Sequence, residues 1–159
     1  MAKEALNRHE VDIQVKPEVE EIVSIAKGNI MQNWQDRWNN DNRARFYHAL
    51  EPEVNSAVKF HDINRRREVT VTRLRFGHCR LNKQLHLMGI HENGLCSQCN
   101  VPEDVPHYLL HCDKYNDLRR ELVGQATQKN VDVTVRNLLT KPELGEALWS
   151  YIRATNADI

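Results

Sequence analysis

The stretch CSQCNVPEDVPHYLLHC, residues 96–112, constrains the possible fold more than any other part of the chain. It contains three of the four cysteines found among 159 residues. Zinc takes four thiolate or imidazole ligands in a tetrahedron, and a C-x2-C pair supplies two of them from one tight turn. The spacing therefore predicts one structural Zn2+ ion, with no open position for catalysis, bound by Cys96, Cys99, His107 and Cys112.

The sequence of this stretch also allows two alternatives to a metal site. Free cysteine is a common core residue, so the three thiols can simply be buried. A disulfide framework is less favoured, because the charged start MAKEALNRHEVDIQVKPEVE shows no secretory pattern. That start predicts an intracellular protein, of the nucleus or cytoplasm, where thiols stay reduced.

The fourth ligand and the remaining cysteine each leave a choice. His111 follows His107 by four residues, so a regular helix would put both imidazoles on one face. A thiolate is the softer ligand, which favours Cys112 over His111. Cys79 has no cysteine close to it in sequence, and a buried core thiol is favoured over a ligand role.

One basic cluster interrupts an otherwise balanced chain. The net charge is zero, which argues against a wholly electrostatic nucleic-acid binder. Residues 62–83, however, carry seven basic and two acidic side chains. Because arginine forks match phosphate geometry, this cluster predicts a nucleic-acid-binding face. The alternative is a solvated basic face that has no ligand and is balanced by acids such as Glu103 and Asp104. The predicted nucleic-acid face consists of Arg65, Arg66, Arg67, Arg73, Arg75, Arg80 and Lys83.

Hydrophobic periodicity predicts an all-α or mostly α-helical, irregular fold. An apolar stripe at steps of three and four predicts a long amphipathic helix from Pro17 to about Asn40. We expect the tryptophans, Trp34, Trp38 and Trp149, to face a core. No uninterrupted apolar run exceeds three residues, so no membrane span is predicted. We place a domain boundary near residue 60, between an N-terminal helical segment, 1–60, and a helical zinc-binding domain, 61–159.

Further helices follow from local signals. RARFYHAL is predicted to be a short helix, and a helix after an Asp62 N-cap is favoured over a strand that begins near Val69. NKQLHLMG predicts a short helix that ends at Gly89, and residues 103–122 predict one continuous helix. Thr140 and Glu143 match a capping box at the start of the last helix.

Two segments, VTRLRFGHCRLNKQLHLMGI and CSQCNVPEDVPHYLLHCDKY, resemble the C-terminal zinc-binding region of non-LTR retrotransposon reverse transcriptases of the jockey-like type. The resemblance covers residues 65–120 well, with Phe76 and Cys79 as departures from the pattern. The matching residues are Arg73, Arg75, Gly77, His78, Leu81, Asn82, Leu85, Gly89, Cys96, Cys99, His107, Leu109, Leu110, Cys112 and Tyr115.

The resemblance implies a module that binds an RNA template or target DNA, in contact with other parts of a retroelement protein. Residues 1–60 would then be a connector after ribonuclease H, and the family's enzymatic parts would lie outside this chain. No nucleotide-binding or hydrolase motif is present, so no catalysis is expected within it. The alternative function is a protein–protein adaptor with an architectural zinc ion.

Overall fold

The computed structural model describes residues 18–54 and 64–159. These residues form helices and connecting turns without a β-strand, which confirms the mostly α-helical fold class; an isolated antiparallel bridge joins Leu95 and Pro102. The helices are α1 Val19–Asn40, α2 Arg45–Leu50, α3 Arg65–Phe76, α4 Asn82–Leu87, α5 Asn116–Gln128, α6 Val135–Thr140 and α7 Gly145–Thr155. Among the described helices, none combines the length and apolar character that a membrane crossing requires.

The chain divides into two compact units, residues 1–37 and 38–159. Helix α1 supplies the described part of the first unit, and it has no buried residue. The extent predicted for this helix is confirmed, but Trp34 is 51% exposed, so its expected core position is wrong. The boundary predicted near residue 60 falls among residues 55–63, outside the described residues.

The C-terminal unit has a core of leucine and tyrosine side chains. Helices α5 and α7 pack along each other, and α2 packs against both α3 and α6. Trp149 packs against this core, as its sequence pattern predicts. The fully buried leucines and tyrosine are Leu74, Tyr108, Leu109, Leu122, Leu138, Leu139, Leu144 and Leu148. Tyr108 and Leu109 belong to the segment between the predicted metal ligands, so that segment is anchored in the core.

Helix α3 is capped at both ends by the side chains and turns that surround it. At its start, the Asn64 side chain accepts hydrogen bonds from the N–H groups of Arg66 and Arg67, so the N-cap is Asn64 and the prediction of Asp62 is wrong. At its end, Gly77 has φ +70° and the His78 N–H donates to the Arg73 carbonyl at 3.0 Å. This left-handed turn ends the helix and places His78 just beyond it.

The predicted capping box at Thr140 is wrong. Thr140 is the last residue of α6, and its hydroxyl donates to the Arg136 carbonyl at 2.8 Å. A 3-10 turn, Pro142–Leu144, then leads into α7. Thr140 already completes the last turn of the helix before it, so it does not occupy the extended conformation that a helix N-cap needs.

Candidate metal centre

A tight hairpin presents the first two cysteines. The Cys96 N–H donates to the Val101 carbonyl at 2.8 Å, and the Asn100 N–H donates to the Cys96 carbonyl at 2.9 Å. Asn100 has φ +55°, a left-handed conformation that asparagine tolerates. This turn brings residues 96 and 99 to the same side of the hairpin, as a C-x2-C pair requires.

Glycine at position 94 brings the hairpin against helix α4. Gly94 has φ +72°, and a Cβ there would lie 3.0 Å from His86 Cβ and 3.2 Å from Lys83 Cα. The Asn82 side-chain amide also donates to the Leu95 carbonyl at 2.8 Å. The hairpin is therefore fixed to α4 by the close approach of its backbone at Gly94 and by the hydrogen bond to Leu95.

The other two ligands come from a π-helical turn, His107–His111, and the residue after it. Asp104 Oδ1 accepts the His107 N–H at 3.0 Å and so begins the turn. Cys112 then adopts an extended conformation, φ −68° and ψ 120°, which breaks the continuous helix predicted over residues 103–122. The wide turn and the break bring Cys112 back over His107, whose carbonyl accepts the Cys112 N–H at 2.8 Å.

The ligand atoms of Cys96, Cys99, His107 and Cys112 all lie within 4.8 Å of one another. Cys112 Sγ is 3.7 Å from Cys96 Sγ and 4.0 Å from Cys99 Sγ, and all these cysteines are free thiols. A tetrahedron with metal–sulfur bonds of about 2.3 Å has edges of about 3.8 Å. The four residues are thus positioned to bind one metal ion.

An unsatisfied buried atom supports the same conclusion. His107 is buried, and its Nε2 has no hydrogen-bond partner among the described residues. A buried polar atom without a partner costs free energy, and a metal ion would satisfy this one as an imidazole ligand. The residues present therefore fit a metal with a preference for sulfur and nitrogen.

The cluster separates the pKa values of two neighbouring thiols. Burial acts to raise the pKa of Cys96, but the N–H groups of Cys99 and Gln98 and the adjacent thiols outweigh it and lower that pKa. Burial raises the pKa of Cys112, and the nearby Cys96 sulfur raises it further. The Lys114 N–H acts in the opposite direction but does not outweigh them. These shifts favour deprotonation of Cys96 and oppose deprotonation of Cys112, because two neighbouring thiolates would repel each other. A bound cation would relieve that repulsion.

A buried arginine orients the Cys112 segment, a role that was not predicted from the sequence. Arg119 Nε donates to the Leu109 carbonyl at 2.9 Å, and its Nη2 donates to the Cys112 carbonyl at 2.7 Å. Its guanidinium therefore holds the backbone at the Cys112 break and in the turn just before it. A basic residue in a helical segment gives no local signal of burial, so only the fold reveals this role.

Substitution of Arg119 by methionine is expected to weaken metal binding by about 10- to 100-fold, because groups that orient metal ligands typically contribute that much. Competition with a chromophoric chelator measures the affinity. Arg120→Met is the matched control, since Arg120 is exposed and pairs with Asp117 at the surface. Equal affinities in the two variants would contradict the role assigned to Arg119.

The structure places the two alternative ligands away from the cluster. His111 is exposed, whereas Cys112 is fully buried with its sulfur in the cluster, so Cys112 is the fourth member. Cys79 is buried outside the cluster, and burial raises the pKa of its thiol to about 11. It is a core thiol.

The predicted basic face separates into paired and unpaired residues. Arg75 is buried and its Nη2 lies 2.5 Å from Glu51 Oε1. It therefore cannot contact an external phosphate, and it is not part of the exposed basic face. Surface ion pairs join Arg67 to Glu146, Arg80 to Asp158 and Lys83 to Asp104. Within this predicted face, the exposed arginines without a carboxylate partner among the described residues are Arg65, Arg66 and Arg73.

Comparison with known proteins connects the chain with retrotransposons. The Retrovirus-related Pol polyprotein from type-1 retrotransposable element R1 2 of Nasonia vitripennis is 26% identical over 122 residues. The match covers 74% of this chain and 29% of the polyprotein, so the chain corresponds to less than a third of that relative. No protein-family model and no solved structure matches the chain. The similarity supports a retrotransposon-related origin.

Proposed function

We propose that this chain is a nucleic-acid-binding zinc module derived from a retrotransposon polyprotein, with RNA or single-stranded DNA as its ligand. The observation that carries the proposal is the exposed face of α3, on which Arg65, Arg66 and Arg73 project without carboxylate partners in the described residues. The similarity to a Pol polyprotein supports the choice of nucleic acid over other anions.

Zinc is the metal that we propose for the centre. Three thiolates and one imidazole suit a soft or borderline ion, and the S···S separations fit the tetrahedron that zinc prefers. Four protein ligands leave no position for water, so the ion is structural and this chain contributes no metal-based catalysis. The ligands join a hairpin to a turn anchored in the core, so zinc would fix α4, against which the hairpin packs, relative to that turn.

The arginines on α3 are spaced along one face of the helix. Arg66 and Arg73 are seven residues apart, which places them on the same side and about 10 Å apart along the axis. Two guanidinium groups at that spacing can contact separate phosphates of one strand. Since three exposed arginines contribute, we expect a salt slope for single strands of about −2.

Replacement of Arg65, Arg66 and Arg73 by glutamine is expected to weaken single-strand binding and to flatten the salt slope by about two units, because the counterions released at these phosphates are lost. Fluorescence anisotropy with a labelled single-stranded RNA, over a series of salt concentrations, measures both. The control removes three charges elsewhere, at the exposed residues Arg120, Lys129 and Lys141. If both triple variants lose the same affinity and slope, only net charge matters and the α3 face is not the site.

A second candidate function is a protein–protein adaptor. The observation that favours it is the exposed apolar set on α1, which includes Ile22, Ile30 and Trp34. An adaptor of this kind would show no salt-dependent binding to single-stranded RNA at low ionic strength, whereas the nucleic-acid module would. The same anisotropy titration therefore separates the two functions.

A further inference from the structure

The basic face of α3 ends in an exposed aromatic ring. Phe76 follows Arg73 by three residues, so the two side chains are neighbours on one face, and Phe76 is 46% exposed. The resemblance in sequence does not account for this ring, because Phe76 departs from the pattern of the similar proteins. An exposed phenyl ring next to arginines is the combination that single-stranded nucleic acids use, with phosphates on cations and bases on rings.

The ring is held in place by a stack of partly buried side chains beneath it. Phe76 stacks on Tyr47 with ring centroids 4.5 Å apart and an interplanar angle of 23°. The Arg75 guanidinium carbon lies over the Tyr47 ring, 5.6 Å from the centroid of that ring. The Trp38 and Tyr47 rings meet in a T-shaped arrangement, with their centroids 6.0 Å apart. Arg75 is fixed by its buried ion pair with Glu51. Phe76 is therefore the outermost member of an ordered stack and loses little freedom when a ligand covers it.

A small cavity of about 240 Å³ adjoins the ring. Its volume is below the roughly 300 Å³ at which pockets for drug-sized ligands begin, and it has room for one planar heterocycle. Its wall combines apolar surfaces with a few polar groups. The residues that line it besides Phe76 include Phe46, His78, Gln84, Leu87 and Pro106.

Charge decides which part of a nucleotide the cavity accepts. Glu103 and Asp104 also line it, and their carboxylates oppose a phosphate there. Lys83 lies 2.9 Å from Asp104 and offsets part of that charge. Carboxylates accept hydrogen bonds from the amino groups of bases, so the acidic wall tolerates a base. The phosphates are then left to the arginines of α3, of which Arg73 lies one turn and Arg66 about three turns from Phe76.

We propose that Phe76 is a stacking platform for an unpaired nucleobase, which enters the adjoining cavity while Arg73 contacts a neighbouring phosphate and Arg66 a phosphate further along the same strand. This inference rests on the proposed nucleic-acid function and makes it specific, because a base inside a duplex has no free face to offer. The ligand is thus a single strand or an unpaired loop, whether of RNA or of DNA.

The test is the substitution Phe76→Leu, which keeps an apolar side chain and removes the aromatic face. We expect affinity for a short mixed-sequence single-stranded RNA to fall by about 5- to 150-fold, the effect of one lost base–aromatic contact. The salt slope should stay unchanged, because no charge is removed. Phe76→Tyr should bind the single-stranded RNA as tightly as the original chain does. A duplex of the same sequence should bind the original chain and both variants with equal affinity. Trp34→Leu, at an exposed aromatic residue on α1, is the matched control and should change nothing.

The outcomes separate this inference from the function on which it rests. If the original chain binds single strands with an arginine-dependent salt slope and Phe76→Leu binds equally well, the platform is overturned and the proposed function stands. If the original chain binds no nucleic acid, both are overturned. Photocrosslinking with an oligonucleotide that carries 5-iodouridine gives a direct readout. Crosslinks at Phe76 support the platform, and crosslinks confined to other residues contradict it.

Discussion

Removal of the metal is expected to lower the unfolding temperature of the C-terminal unit, residues 38–159, by tens of degrees. Structural zinc sites contribute on the order of 10 kcal/mol of apparent binding free energy to folding, and a whole domain has a net stability of only about 5–15 kcal/mol. Each kcal/mol corresponds to several degrees in a unit of this size. Thermal unfolding followed by circular dichroism, before and after chelation under reducing conditions, measures the change.

Contacts between the metal centre and the core are the reason that the loss should spread beyond the site. His107 and Cys112 flank Tyr108 and Leu109, which are fully buried. The Tyr108 carbonyl also accepts a hydrogen bond from the Tyr151 hydroxyl at 2.7 Å, which links this turn to α7. Without the ion, the buried His107 nitrogen would stay unsatisfied, and nothing would join the hairpin to the turn on which the core depends.

Two cysteine variants provide the control for this prediction. Cys112→Ala removes one predicted ligand, and Cys79→Ala removes a buried thiol outside the cluster. We expect one zinc per chain in Cys79→Ala and in the original chain, and a loss of tightly held zinc in Cys112→Ala, as measured by elemental analysis after dialysis. An unfolding temperature that chelation leaves unchanged, or full zinc content in Cys112→Ala, would contradict the metal centre.

Substitution of Glu51 by alanine is expected to destabilise the C-terminal unit by about 3–5 kcal/mol, because it leaves the Arg75 charge buried without its carboxylate. Both side chains are about nine-tenths buried, and their closest atoms are 2.5 Å apart. Urea unfolding of the zinc-loaded protein, monitored by fluorescence or circular dichroism, gives the free energy of unfolding. The pair also fixes the stack of Tyr47 and Phe76, so this variant should weaken single-strand binding as well.

The matched control removes an acid from a surface pair. Asp158→Ala breaks an ion pair with Arg80 in which both side chains are largely exposed, and we expect a change below about 1 kcal/mol. The double variant Glu51→Leu with Arg75→Met removes both buried charges and should recover most of the lost stability. Equal effects of Glu51→Ala and Asp158→Ala would show that burial of the pair is unimportant.

The accuracy of the sequence predictions depended on how local each feature is. The long helix α1 and helix α3 were predicted correctly, since their signals lie within the segments themselves. The helix break at Cys112 was missed, because local propensity favours a continuous helix and the break follows from the position of the cluster and of Arg119. The role of Thr140 was missed for a related reason, since the same residue ends one helix and matches the pattern that begins another.

The sequence by itself determined which residues form the candidate metal centre. Its four members lie within seventeen residues, so their spacing and donor chemistry nearly define the site, and the structure brings the same four together. Only the tertiary structure decided which arginines remain at the surface. Arg75 is buried by Glu51, twenty-four residues earlier in the chain, whereas Arg73 on the same helix is exposed. The physical reason is that the burial of a charge depends on partners distant in sequence, whereas the spacing of ligands within a hairpin and a turn depends on the local chain.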